Sequence, residues 1–184
     1  MFGVTGTRIT RLDTATAEQW AFNARVAERI DASLADRILA LVRTLEGMDD
    51  GFAVDQLGHA LQTATRAERA SADDEVVAAA LMHDVGKIFG DDNHDVVSAE
   101  ILRPYVRDDV YRVVWHHQDF TARYIAPILG GDPQRRERWR SEPWVVLAER
   151  FADEWDQPSF EPEYATEALE HFEPVVRRVF VSKS

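Results

Sequence analysis

The sequence predicts an all-α protein folded as a single compact helical bundle. Three observations predict it. Apolar residues recur at three- and four-residue intervals along most of the chain, no stretch alternates with the period of two expected of a half-buried strand, and no repeat, low-complexity tract or Pro/Ser-rich linker divides the chain. At 184 residues with 45% hydrophobic side chains, one domain over residues 1–184 with a sizeable core is the natural expectation.

The elements follow in order. "TATAEQWAFNARVAERI" opens on Thr16 with Gln19 three residues later, the pattern of a capping box, and Trp20, Ala24, Val26 and Ile30 then recur at helical spacing. "SLADRILALVRTLEG" repeats the pattern with Leu34, Ile38, Leu41, Val42 and Leu45, and Gly47 suits a C-terminal stop. These form an N-terminal unit over residues 1–50, and the loop "GMDDGFAVD" follows. "QLGHALQTATRAERA" places Leu57, Leu61, Ala64 and Ala67 near one face. "DDEVVAAALMHDVGK" reads as a buried helix capped by Asp73 or Asp74. "DNHDVVSAEILRPYV" gives a helix ended near Pro104, and "RDDVYRVVWHHQDF" another that ends by Phe120. "GGDPQRRERWRSEP" is polar, with room for one short helix. "PWVVLAERFADEWDQPSF" is helical until Pro158, and "EYATEALEHFEPVVRRVF" holds one or two short helices.

Composition narrows the function. A net charge of −12 disfavours nucleic acid, whose phosphates need clustered Lys and Arg. No run approaches the roughly 20 apolar residues of a membrane span. The opening "MFGVTGTRIT" lacks the apolar core of a signal peptide, so a cytoplasmic protein is expected. With no cysteine, disulfides, thiolate metal sites and cysteine nucleophiles are excluded, and any metal must be held by His, Asp and Glu.

Five of the six histidines, His59, His83, His94, His116 and His117, lie within 59 residues; His171 stands apart and reads as surface or packing. Each alone reads most simply as a hydrogen-bonded core residue. Together they read differently, because several helices each offering one inward His or Asp is how a bundle builds a dinuclear metal site. In "MHDVGK", Asp84 could bridge two metals while His83 binds one of them. Such an N/O ligand set suits Fe, Mn, Mg or Zn.

The order His59, His83-Asp84, His94, His116, late Asp resembles the HD-domain superfamily of metal-dependent enzymes. "HDVGK" looks like its central motif. "HALQTA" at residues 59–64 and the closing "LEHFEPVVRRVF" are similar to segments of its mixed-valent diiron oxygenases, the myo-inositol oxygenase-like and phosphonate-cleaving members. The likeness covers roughly residues 52–180, the expected metal-binding core. It implies metal ligands His59, His83, Asp84, His94, His116 and Asp153, with His117, Asp156 and Glu149 in reserve. It implies two Fe ions in the Fe(II)/Fe(III) state, or Mn or Mg in their place. It makes Asp84 catalytic, Lys87 catalytic and substrate-binding, and Gln62 substrate-binding. The implied reaction uses dioxygen to oxidise and cleave a small hydroxylated substrate, with or without an anionic group, at a C–C or C–P bond. Asp49 and Phe52 stand where the phosphonate-cleaving members carry Tyr and Glu, and Phe120 where they carry Lys, which argues against their phosphonate substrate.

A phosphohydrolase acting on a small phosphoester or nucleotide would use the same ligands to activate water. A metal-stabilised ligand sensor is a third reading. Asp55, Gln62, Asp119 and Glu149 are candidates to orient the ligands. Trp115, Phe120, Tyr124, Trp139 and Trp144 line either a substrate cavity or the core. The segment from His116 to Trp139 is the one expected to set substrate choice.

Overall fold

Eight α-helices, two short 3₁₀ segments and one π-helical turn make up the regular structure of the computed structural model, which describes residues 7–181. The first six residues of "MFGVTGTRIT" and the last three of the expected 1–184 domain lie outside the described residues. Among the described residues there is no strand, and no helix is long and apolar enough to cross a membrane.

The helix at the centre is α4 (Asp74–Met82), whose residues Val76 to Met82 are all buried. A helix apolar all round belongs inside a core. Its N-cap is Asp73, whose carboxylate accepts the Val76 N–H at 3.1 Å. Against α4 pack α3 (Gln56–Arg69), α8 (Leu169–Val179) and the first half of α6 (Asp108–Leu129). The ends are tied by exposed ion pairs, Arg178 on Asp74 and Arg107 on Asp73. In α8 the buried residues Leu169, Phe172, Val175, Val176 and Val179 form one stripe, so the tail makes a single helix.

Three elements depart from the pattern reading. In α1 (Ala17–Ala32) the capping box of Thr16 and Gln19 is present, but Trp20 and Ile30 are half exposed and the buried residue is Phe22. This helix leans mainly on α2 (Leu34–Arg43), so its apolar spacing exceeds what it buries. Next, α6 does not stop at Phe120 but runs on to Leu129, since nothing before Pro127 interrupts a helix. Last, α7 (Val145–Arg150) continues into a π-helical turn, Phe151–Asp156, whose wider spacing is seen in the Gln157 N–H bonding to the Ala152 carbonyl.

A tight joint links α4 to α5 (His94–Leu102). After His83 the chain turns through a 3₁₀ segment, Val85–Ile88. Gly86 lies so close to α5 that a Cβ there would clash with the His94 carbonyl oxygen, and its N–H donates to Ser98 Oγ at 2.9 Å. The joint brings His83, Asp84 and His94 into one space.

Candidate metal centre

Four histidines from four elements meet in the core. His59 comes from α3, His83 ends α4, His94 opens α5, and His117 lies on α6. Each turns the same ring atom outward. The Nδ1 atoms of His59, His83, His94 and His117 donate to the carbonyls of Ser159 (3.0 Å), Ala80 (2.9 Å), Asp91 (2.8 Å) and Val114 (2.7 Å). A carbonyl only accepts, so Nδ1 carries a proton, and each imidazole in its neutral, metal-binding form presents an Nε2 lone pair inward.

These lone pairs face one another. His59 Nε2 lies 3.1 Å from His83 Nε2, and His94 Nε2 lies 3.2 Å from His117 Nε2. Two carboxylates stand among them. One oxygen of Asp84 is 3.1 Å from His94 Nε2, 3.4 Å from His117 Nε2 and 3.6 Å from His83 Nε2, while the other is 3.6 Å from His59 Nε2. Asp156 reaches His59 Nε2 at 3.3 Å and His83 Nε2 at 3.7 Å. Asp84 Oδ1 and Asp156 Oδ2 are buried without a hydrogen-bond partner. Buried carboxylates with orphan oxygens beside converging lone pairs are costly unless a positive charge lies between them. The residues therefore fit a metal site. His59, His83 and Asp156 form one set of donors and His83, Asp84 and His117 an overlapping one; His94 closes on the Asp84–His117 side.

The acids and imidazoles also shift one another's titration. Burial, the largest influence on Asp84, would raise its pKa, but His83, His117 and His94 outweigh it and hold the carboxyl well below the usual range. Asp156 is likewise lowered against its burial by His59 and His83. For His59, burial is outweighed by Asp156 and Asp84, and its pKa is raised. Lys87 is raised too, since Asp84 and Asp50 overcome its burial.

Two expected ligands are not in the cluster. His116 points the other way, into an aromatic nest, 4.0 Å from the Trp139 ring and stacked on Trp144 at 5.3 Å. Burial lowers its pKa. The inward residue is its neighbour His117, on the stripe of Val110, Val113 and Val114. Asp153 is engaged elsewhere, accepting a forked pair from Arg136 (2.7 and 3.0 Å) and the Tyr124 hydroxyl (2.9 Å). The π turn brings Asp156 inward in its place. Glu149 is exposed on α7.

Gln62 is not free to hold a substrate. Its amide donates to the Glu161 carbonyl at 2.9 Å and accepts the Glu161 N–H at 3.1 Å. It pins the segment that carries Phe160, which stacks on His59 at 4.2 Å and is itself covered by Phe52 at 4.2 Å. Asp55 caps α3, and Asp119 binds Trp139 and Arg135. The ligand rings are oriented by main-chain carbonyls instead. Of the five aromatics, Tyr124 lines the cavity, whereas Phe120, Trp139 and Trp144 pack together with His116 and Trp115 packs against the core.

The cluster forms the floor of an open cavity of about 950 Å³. Lys87 stands beside it, with Nζ 3.3 Å from Asp84 and 3.2 Å from Asp50. Gln56 Nε2 donates to the same Asp50 oxygen at 2.9 Å, which missed detection in the sequence because Asp50 lies in an unpatterned loop.

The HD-domain family model matches residues 57–157, more than half of the chain, and spans every member of the cluster. No curated protein matches the sequence.

Proposed function

The chain belongs to the HD-domain family and has the buried donors of a metal-dependent enzyme; from that premise we propose an oxygenase that holds two iron ions and uses dioxygen to cleave a small hydroxylated substrate. The observation that carries the metal reading is the convergence of four Nε2 atoms and two carboxylates, each with one buried oxygen left without a partner. His59, His83 and Asp156 would hold one ion, His94 and His117 the other, with Asp84 shared. Bound there, the ions would supply dioxygen activation and Lewis acidity toward a substrate oxygen.

The cavity's charges support oxygenase over phosphohydrolase. Its two side-chain cations among the described residues are both engaged, Lys87 by Asp50 and Asp84, and Arg135 by Asp119 at 2.6 Å. Beyond the ions themselves, a nucleotide or phosphoester would find no unengaged side-chain cation, and the phosphonate of a C–P substrate would fare no better, so a C–C bond is favoured. A hydroxyl group suits the Lys87–Asp50 pair, with Lys87 Nζ donating to its oxygen and Asp50 accepting its proton in a hydrogen bond. Phe160 and Phe52 keep water from one face of His59.

The test is metal analysis of protein purified without chelators, with spin resonance after partial reduction and dioxygen uptake on polyols. A coupled Fe(II)/Fe(III) signal with uptake is expected. Mn or Mg with phosphoester turnover would replace this reading by the hydrolase. Asp84→Ala should lose both ions; retention of two would overturn the shared role. Lys87→Ala should keep both and raise KM.

A further inference from the structure

We propose that the substrate is amphiphilic, its hydroxylated head at the metal-ligand cluster and an apolar tail along the C-terminal half of α6. The cavity changes character along its length. Its floor is His59, Asp84, Lys87, His94, His117 and Asp156. Its outer wall is the end of α6, where Ile125, Ile128 and Leu129 line the same cavity. These side chains are 50%, 83% and 80% exposed. Singly, exposed apolar residues mean little; three on the last turns of one helix, continuous with a buried polar floor, make a surface that a ligand can cover. Size points the same way. About 950 Å³ lies near the top of the roughly 300–1,000 Å³ that encloses drug-sized ligands, well beyond what a small polyol fills. The wall from Thr121 to Leu129 rises about 12 Å at about 1.5 Å per residue, enough for a medium-length alkyl chain.

This inference rests on the cavity being the substrate site of the proposed oxygenase, but its test reads binding and needs no turnover. Metal-loaded protein is titrated calorimetrically with ethanol, butanol, hexanol and octanol. The expected result is a Kd that falls about fourfold for each methylene buried. Ile128→Asp combined with Leu129→Asp, both in solvent and tolerant of charge, should flatten that series. Val146→Asp, 71% exposed on α7 and outside the cavity, should leave it intact. A flat series in the wild type, or a slope unchanged in the double variant, overturns the proposal. A wild-type dimer that the double variant dissociates, with no chain-length dependence, would assign the strip to a second copy of the chain instead.

Discussion

His116 and His117 are neighbours, yet one faces the cluster and the other an aromatic nest. The pair supplies a clean test. His117→Ala should lower occupancy by at least one metal equivalent, read by elemental analysis. His116→Ala should keep both ions and lose only packing, roughly 1–3 kcal/mol in urea unfolding. The same contrast holds for Asp156→Ala, which removes a buried donor, against Asp153→Ala, which frees Arg136. The first choice was legible in the sequence: Val110, Val113, Val114 and His117 follow the i, i+3, i+4, i+7 rule, and His116 does not. The second was not, because counting at 3.6 residues per turn fails across a π turn. His59, His83, Asp84 and His94 were legible from residue type and order. The orienting carbonyls were not, since any residue can provide one.

At the scale of elements, the joint between α4 and α5 is the most sensitive place. Gly86→Ala would drive a methyl group into the His94 backbone. Backbone there cannot yield as a flexible side chain could, so the expected loss is about 3 kcal/mol, with weakened metal binding, checked by denaturation and metal titration. Helix existence was readable from periodicity because long amphipathic stretches such as α8 show one apolar stripe. Helix ends were less so. The continuation of α6 past Phe120 follows from the absence of a stop before Pro127, and the idle apolar positions of α1 reflect a partner too small to cover them.

For the molecule as a whole, metal and fold should be coupled. An ion that binds only the folded state adds about 2.7 kcal/mol at a hundredfold excess over its Kd. For a chain of this size that is roughly a 5–10 °C rise in Tm per site. Calorimetry with and without chelator should show this difference, and an unchanged Tm would count against metal binding in the core. The all-α class and the central motif could be seen in the sequence, whereas the charge pairing of Lys87 with Asp50 could not, since it joins a loop to a 3₁₀ turn 37 residues further on. One consequence concerns how this protein tolerates change. The four imidazole tautomers are locked by main-chain oxygens, and no side-chain replacement can delete those. Neighbouring positions are therefore free to drift and retune substrate choice while the donor cage keeps its protonation pattern, and only lesions that shift the backbone can reach it.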